Sequence, residues 1–137
     1  MTLIQPYKAL ALQVTCQSIN NCTSKEDTSE KIFEIINIIG KQIKASKAFI
    51  GQDLKLVVLP EYFLTGFPIG ETIEEWKEKA CIAMNGKEYD ELKKNAVEAN
   101  IFLSGNVYEL DNNFPDLYYQ TSFIIDTAEE LILRYRR

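Results

Sequence analysis

Histidine is absent from this 137-residue chain. No Ser-His-Asp or Cys-His catalytic arrangement can therefore form, and no His-ligated metal site. Cysteine is scarce. Cys16, Cys22 and Cys81 are the only three, and none stands at C-x-x-C spacing, which excludes a zinc knuckle or a thioredoxin motif. Neither G-x-G-x-x-G nor G-x-x-x-x-G-K occurs among the glycines, so dinucleotide and P-loop binding are unsupported. Positive charge is short, with 15 Lys+Arg against 20 Asp+Glu and a net charge of −5. Gripping a phosphate backbone needs a cationic surplus, so nucleic acid is a poor partner. No apolar run approaches the about 18 residues that span a membrane. The start, Met1-Thr2-Leu3-Ile4-Gln5-Pro6, lacks the basic and apolar regions of an export signal. The expectation is a cytoplasmic chain with reduced thiols.

What is present is ordinary globular material, 46% apolar and 26% charged. A chain of this size buries about two-thirds of its unfolded surface, enough for a real core. Residues 1–137 read as a single domain, with no repeat, linker or low-complexity stretch.

Lys8 to Gln17 alternates, with Leu10, Leu12 and Val14 on one face, and reads as a strand covered on both sides. The polar stretch Asn20 to Ser24 ends in an N-cap, with Glu26 and Asp27 in the first turn. Ile32, Ile35, Ile36, Ile39 and Ile43 then recur at helical spacing, giving a long amphipathic helix from Glu30 to about Ala48. Leu54 to Leu59 is a buried strand stopped at Pro60. A loop follows, and then helices over Glu71–Met84 and Lys87–Asn100. Strands at Ile101–Leu110, Leu117–Asp126 and Glu130–Arg137 complete an order β-α-β-α-α-β-β-β. Crossovers first and hairpins afterwards imply a mixed sheet with flanking helices. The chain stops inside a strand, an edge that a complete domain usually covers, and that end reads as a cut.

Three groups of residues could carry chemistry. Glu61 directly follows a buried strand, where α/β proteins place their sites. Its neighbours Tyr62 and Phe63 would desolvate it toward general-base use. On spacing alone it reads first as a solvated loop acid after a strand-stopping proline, since loop acids are common. Arg134-Tyr135-Arg136-Arg137 offers cations at a strand end, either to hold an oxyanion or to blunt an edge. Cys16 in the first strand, Cys22 in a polar loop and Cys81 on a helix do not follow a strand into a sharp turn, and read as incidental thiols.

The segment L-V-V-L-P-E-Y-F-L-T-G-F at Leu56–Phe67 resembles the strand-Pro-Glu block of the carbon–nitrogen hydrolase (nitrilase/amidase) superfamily. The strand Ala9–Val14, the helix-then-strand Ala99–Glu109, Tyr119-Gln120-Thr121 and the run from Ile125-Asp126 to Arg136 fit the same pattern in the same order. The resemblance covers nearly the whole chain and corresponds to the family's N-terminal half. It implies an α/β fold, the nitrilase-like α-β-β-α sandwich, of which this chain supplies about the first half of a protomer. It also implies hydrolysis of a small amide, nitrile or carbamoyl compound through a Cys-Glu-Lys mechanism, with no cofactor and no metal. Protomers of the family often pair, so a homo-oligomer or a complementary chain is the expected partner. Glu61 falls on the base and Arg137 on the lysine position, while Tyr62 and Phe63 would shape the substrate pocket. The chain departs from the pattern twice, with Gln120 where the family has Asn and Arg137 where it has Lys. Cys16, Cys22 and Cys81 do not match the nucleophile motif, so the 137 residues alone are expected to be inactive. A non-catalytic short member that binds a ligand or pairs with a partner is the alternative.

Overall fold

The computed structural model describes residues 3–137; Met1 and Thr2, the start of the segment read for an export signal, lie outside it. In chain order the elements are β1 (Lys8–Ala11), α1 (Lys25–Ile50), β2 (Leu54–Val58), α2 (Ile73–Ala80), β3 (Ile82–Ala83), α3 (Lys87–Ala99), β4 (Phe102–Leu110), β5 (Tyr118–Ile125) and β6 (Leu131–Arg136). They build one six-stranded sheet in the order β1-β2-β4-β5-β6. Strands β1, β2 and β4 are parallel, and β5 and β6 are antiparallel hairpin additions. Strand β3 pairs with the far end of β4 at Glu109 and Leu110, while β2 pairs with its start at Phe102–Ser104. Since β5 holds the opposite flank, β2 and β3 follow one another along a single flank of β4.

Helix α1 starts where its cap chemistry says it should. The Ser24 side chain accepts from the Asp27 N–H at 3.0 Å, and Glu26 and Asp27 sit in the positive first turn. Ile32, Ile35, Ile36, Ile39 and Ile43 are buried as one stripe. The helix ends at Gly51, whose φ of 117° is open only to glycine and whose N–H returns to the Lys47 carbonyl at 2.9 Å. Lys47 also donates to the Asn100 carbonyl at 2.8 Å, joining the ends of α1 and α3.

The main core lies between α1, α3 and the sheet. It is formed by the isoleucines of α1, by Tyr89, Leu92 and Ala96 of α3, and by Val57, Leu103, Val107, Phe123 and Ile125 of the strands. A second cluster gathers Trp76 and Ala80 of α2 with Ile19, Cys81 and Tyr108. Leu103 and Val107 are odd-numbered on β4 and Tyr108 is even, so the two clusters occupy opposite faces of that strand. The rest of the even face, with Leu56, Phe102 and Ile124, lines an open apolar groove of about 550 Å³.

Three expectations are corrected. The first strand ends at Ala11, not Gln17. Leu12 N–H reaches the Val58 carbonyl, the last residue of β2, and the next position facing β1 is Pro60, which has no N–H to continue the ladder. Cys16 therefore lies in a loop. The second helix spans Ile73–Ala80, not Glu71–Met84, because Cys81 turns extended and Ile82-Ala83 pair with the vacant flank of β4. The long helix starts at Lys25, one residue after its cap, ahead of the isoleucine stripe.

Candidate active site

Beyond β2 the chain makes a tight turn anchored from within. Phe63 and Leu64 are buried in the core, while Tyr62 takes a left-handed φ of 60°. That conformation is costly for a non-glycine residue, and such costs concentrate at functional sites. The Tyr62 carbonyl holds the turn by accepting from the Gly66 N–H at 3.0 Å and from the Cys16 thiol at 3.1 Å. Glu61 stands at the outer edge with its side chain 45% exposed.

The sheet brings three further side chains to this carboxylate. Arg137, 76 positions later, donates from Nη2 to Glu61 Oε1. Gln120 on β5 donates from Nε2 to the same oxygen at 2.8 Å and to Asn106 Oδ1 at 3.0 Å. Its Oε1 accepts from Arg137 Nε at 2.9 Å. Asn106 in turn donates to Ser122 Oγ at 3.2 Å. Tyr62 flanks the group, its ring 5.6 Å from Phe67 and stacked at 6.2 Å on Tyr108. An exposed ion pair is worth only about 0–1 kcal/mol, so Glu61–Arg137 is not a strut of the fold.

Of the residues singled out in the sequence, Glu61, Tyr62 and Arg137 thus come together. Phe63 does not. It turns inward, fully buried, because the left-handed twist at Tyr62 sends successive side chains to opposite sides. The desolvation expected from two aromatics is therefore missing, and hydrogen bonding compensates the Glu61 charge instead. Asn106, Gln120 and Ser122 were not read as site residues. The available signal was polar residues recurring at every second position on strands whose other face is apolar.

The remaining arginines do something else. Arg134 and Arg136 point to the face opposite Arg137, onto Glu109, which is completely buried. Arg136 reaches Glu109 Oε1 at 2.5 Å and Asp111 Oδ2 at 2.6 Å, and lies 5.0 Å over the Tyr119 ring. Tyr89 donates to Glu109 Oε2 at 2.8 Å, and burial, then that carboxylate, push its phenol upward. The Asn113 N–H and then Arg136 hold Asp111 below the usual carboxylate range. Neither Cys16 nor Cys81 is an activated thiol. Burial pushes Cys16 up and Cys81 up to about 12, away from the thiolate a nucleophile needs. Among the described residues, no three His, Cys, Asp or Glu side chains converge as a metal site.

A carbon–nitrogen hydrolase family model matches residues 13–137. The chain belongs to the carbon–nitrogen hydrolase family. Its fold is that of solved nitrilase-superfamily members. Against Saccharomyces cerevisiae Nit3, a member of branch 10 of the nitrilase superfamily, it aligns with a TM-score of 0.64 at 23% identity, covering 78% of this chain and 39% of Nit3. An N-terminal amidase gives 0.62 at 15% identity, over 94% of this chain and 27% of the amidase. A carbon–nitrogen hydrolase from Helicobacter pylori G27 gives 0.55 at 15% identity, over 94% and 38%. The chain therefore spans well under half the length of each of these relatives.

Proposed function

We propose that this chain carries the base and the cation of a hydrolase acting on a small amide, nitrile or carbamoyl compound. The observation behind this reading is the meeting of Glu61 and Arg137, 76 positions apart, on one carboxylate oxygen. In the reaction Glu61 takes the proton of a cysteine thiol, and the thiolate attacks the carbon of the C–N bond. Arg137 holds the charge that collects on the carbonyl oxygen. Protonated Glu61 returns its proton to the leaving nitrogen as that bond breaks. It then deprotonates the water that hydrolyses the thioester. Such proton transfers contribute about 10²–10⁴-fold. Arg137 supplies charge and hydrogen bonds but keeps its own protons, so all proton traffic runs through Glu61.

None of the three cysteines is hydrogen-bonded to Glu61, which leaves the 137-residue chain without its nucleophile and inactive by itself. Butyramide added to the labelled protein tests this. Shifts of the Glu61, Gln120 and Arg137 amide signals, lost in Glu61→Gln and without ammonia release, are expected. Ammonia release that survives Glu61→Gln, or shifts confined to other regions, overturns the reading.

A second reading, a non-catalytic member that pairs with a partner, draws on the open sheet face. Tyr7 and Ile132 there are each 55% exposed. Light scattering on the purified chain discriminates. A stable monomer at high concentration argues against pairing.

A further inference from the structure

We infer that Gln120 is the positioning residue of this site, setting the direction of the Arg137 guanidinium and choosing which Glu61 oxygen accepts a proton. This rests on the reading of Glu61 and Arg137 given above. Gln120 and Arg137 face each other across the β5–β6 ladder, exchanging main-chain bonds of 3.2 and 3.1 Å. Directly opposed residues project to one face of a sheet. The amide of Gln120 thereby sits where it can touch both charged groups, and it does.

Its polarity is locked. Arg137 Nε can only donate and the Glu61 carboxylate only accepts, so Gln120 must turn Oε1 to the arginine and Nε2 to Glu61, and Asn106 follows by offering its oxygen. Flipping the amide would set donor against donor at Arg137 and acceptor against acceptor at Glu61. With Nε engaged, the guanidinium can turn only its Nη2 edge to Glu61. A lysine has one nitrogen and could not divide the two contacts in this way.

The consequence is at a single atom. Gln120 and Arg137 both load Glu61 Oε1, while Oε2 carries no hydrogen bond from any described residue. Oε2 is then the oxygen free to accept the proton. The Glu61 and Arg137 side chains are 45% and 61% exposed. No burial holds them, and the amide supplies the order that packing does not.

The test uses the 137-residue chain and the Arg137 Nε–H signal, assigned by its disappearance in Arg137→Lys. In Gln120→Leu, similar in size but without polar atoms, solvent exchange of that proton should rise about tenfold or more, as expected for losing a bond to a charged group. Gln120→Glu keeps the acceptor and should keep the proton protected, although it sets a like charge against Glu61. A purely structural role would not separate these two variants. Unchanged exchange in Gln120→Leu, or equal loss in both, overturns the inference. Thermal melting of each variant guards against misfolding, with Gln120→Met as the replacement if Gln120→Leu does not fold. If Gln120→Leu frees Arg137 but Glu61→Gln leaves butyramide binding intact, the positioning stands and the hydrolase reading falls. If Glu61→Gln abolishes butyramide binding while Arg137 stays protected in Gln120→Leu, the reverse holds.

Discussion

Adjacent residues at the turn after β2 have unrelated duties. Phe63 fills the core beneath the turn, and a Cβ added at Gly105 would lie 2.7 Å from Phe123 Cζ and 3.0 Å from Phe63 Cε1. The glycine is there so that two rings can meet across β4. Phe63→Ala should cost about 3–5 kcal/mol in urea unfolding by opening a cavity. Glu61→Gln should leave the unfolding midpoint within error, since an exposed pair contributes about 0–1 kcal/mol. Cys81 marks the alkaline limit. Its folded pKa is raised from 9.0 to about 12 by burial, so the unfolded chain loses that proton first. The stabilisation is complete below pH 9 and fades as pH rises toward 12. Cys81→Ala should flatten the loss of stability between pH 8 and pH 10, about the range where the thiol of the unfolded chain titrates. Glu61 stands out in the sequence because it matches the strand-Pro-Glu block that the segment resembles. That Phe63 would turn inward was not legible there, because it depends on the φ adopted at Tyr62.

At the scale of elements, β6 shows why a run of arginines is ambiguous. Alternation sends Arg134 and Arg136 to the buried Glu109 and Arg137 to Glu61, so the end of the chain both clamps the sheet and reaches the candidate base. Glu109→Gln takes the carboxylate from Arg134 and leaves Arg136 with Asp111 alone, and should destabilise by about 1.5–3 kcal/mol, the worth of a hydrogen bond to a charged group. It should also raise amide exchange along β6 more than along α1. Helix α2 depends on a capping box, with Thr72 accepting from the Glu75 N–H at 3.2 Å and Glu75 accepting from the Thr72 N–H at 2.7 Å. Thr72→Ala should cost about 1 kcal/mol. The helix was expected to run on to Met84. It stops at Ala80 because β4 offers Ile82 and Ala83 a strand partner, which no local propensity reports.

At the scale of the molecule, α1 and α3 cover one face of the sheet, while among the described residues the other carries α2 at one end and a groove lined in part by Ile4–Tyr7 at the other. The groove lined by Leu56, Phe102, Ile124 and Ile132 is a contiguous apolar surface of the kind that associates in water. Light scattering should show self-association that weakens in Phe102→Ser/Ile132→Ser. Among the described residues no helix is long and apolar enough to cross a membrane. Acid should loosen the fold through Asp111, Glu71 and Glu75, whose pKa values hydrogen bonds to backbone N–H groups lower from 3.8, 4.5 and 4.5. Depressed carboxylates stabilise fully above their unfolded values and lose that contribution as pH falls through their folded ones. The midpoint should therefore drop below about pH 4.5, as read by circular dichroism.

Element types, the cap of α1 and the stop at Pro60 follow from the residues themselves, because periodicity, capping and proline chemistry act within a few positions. Membership of the carbon–nitrogen hydrolases, and with it the candidacy of Glu61, was likewise written in the order of short motifs. Which arginine meets Glu61, the locking of Gln120 between them and the burial of Glu109 belong to the tertiary structure. Each depends on strand register, and a register is chosen only when the two faces of a sheet are packed against different neighbours.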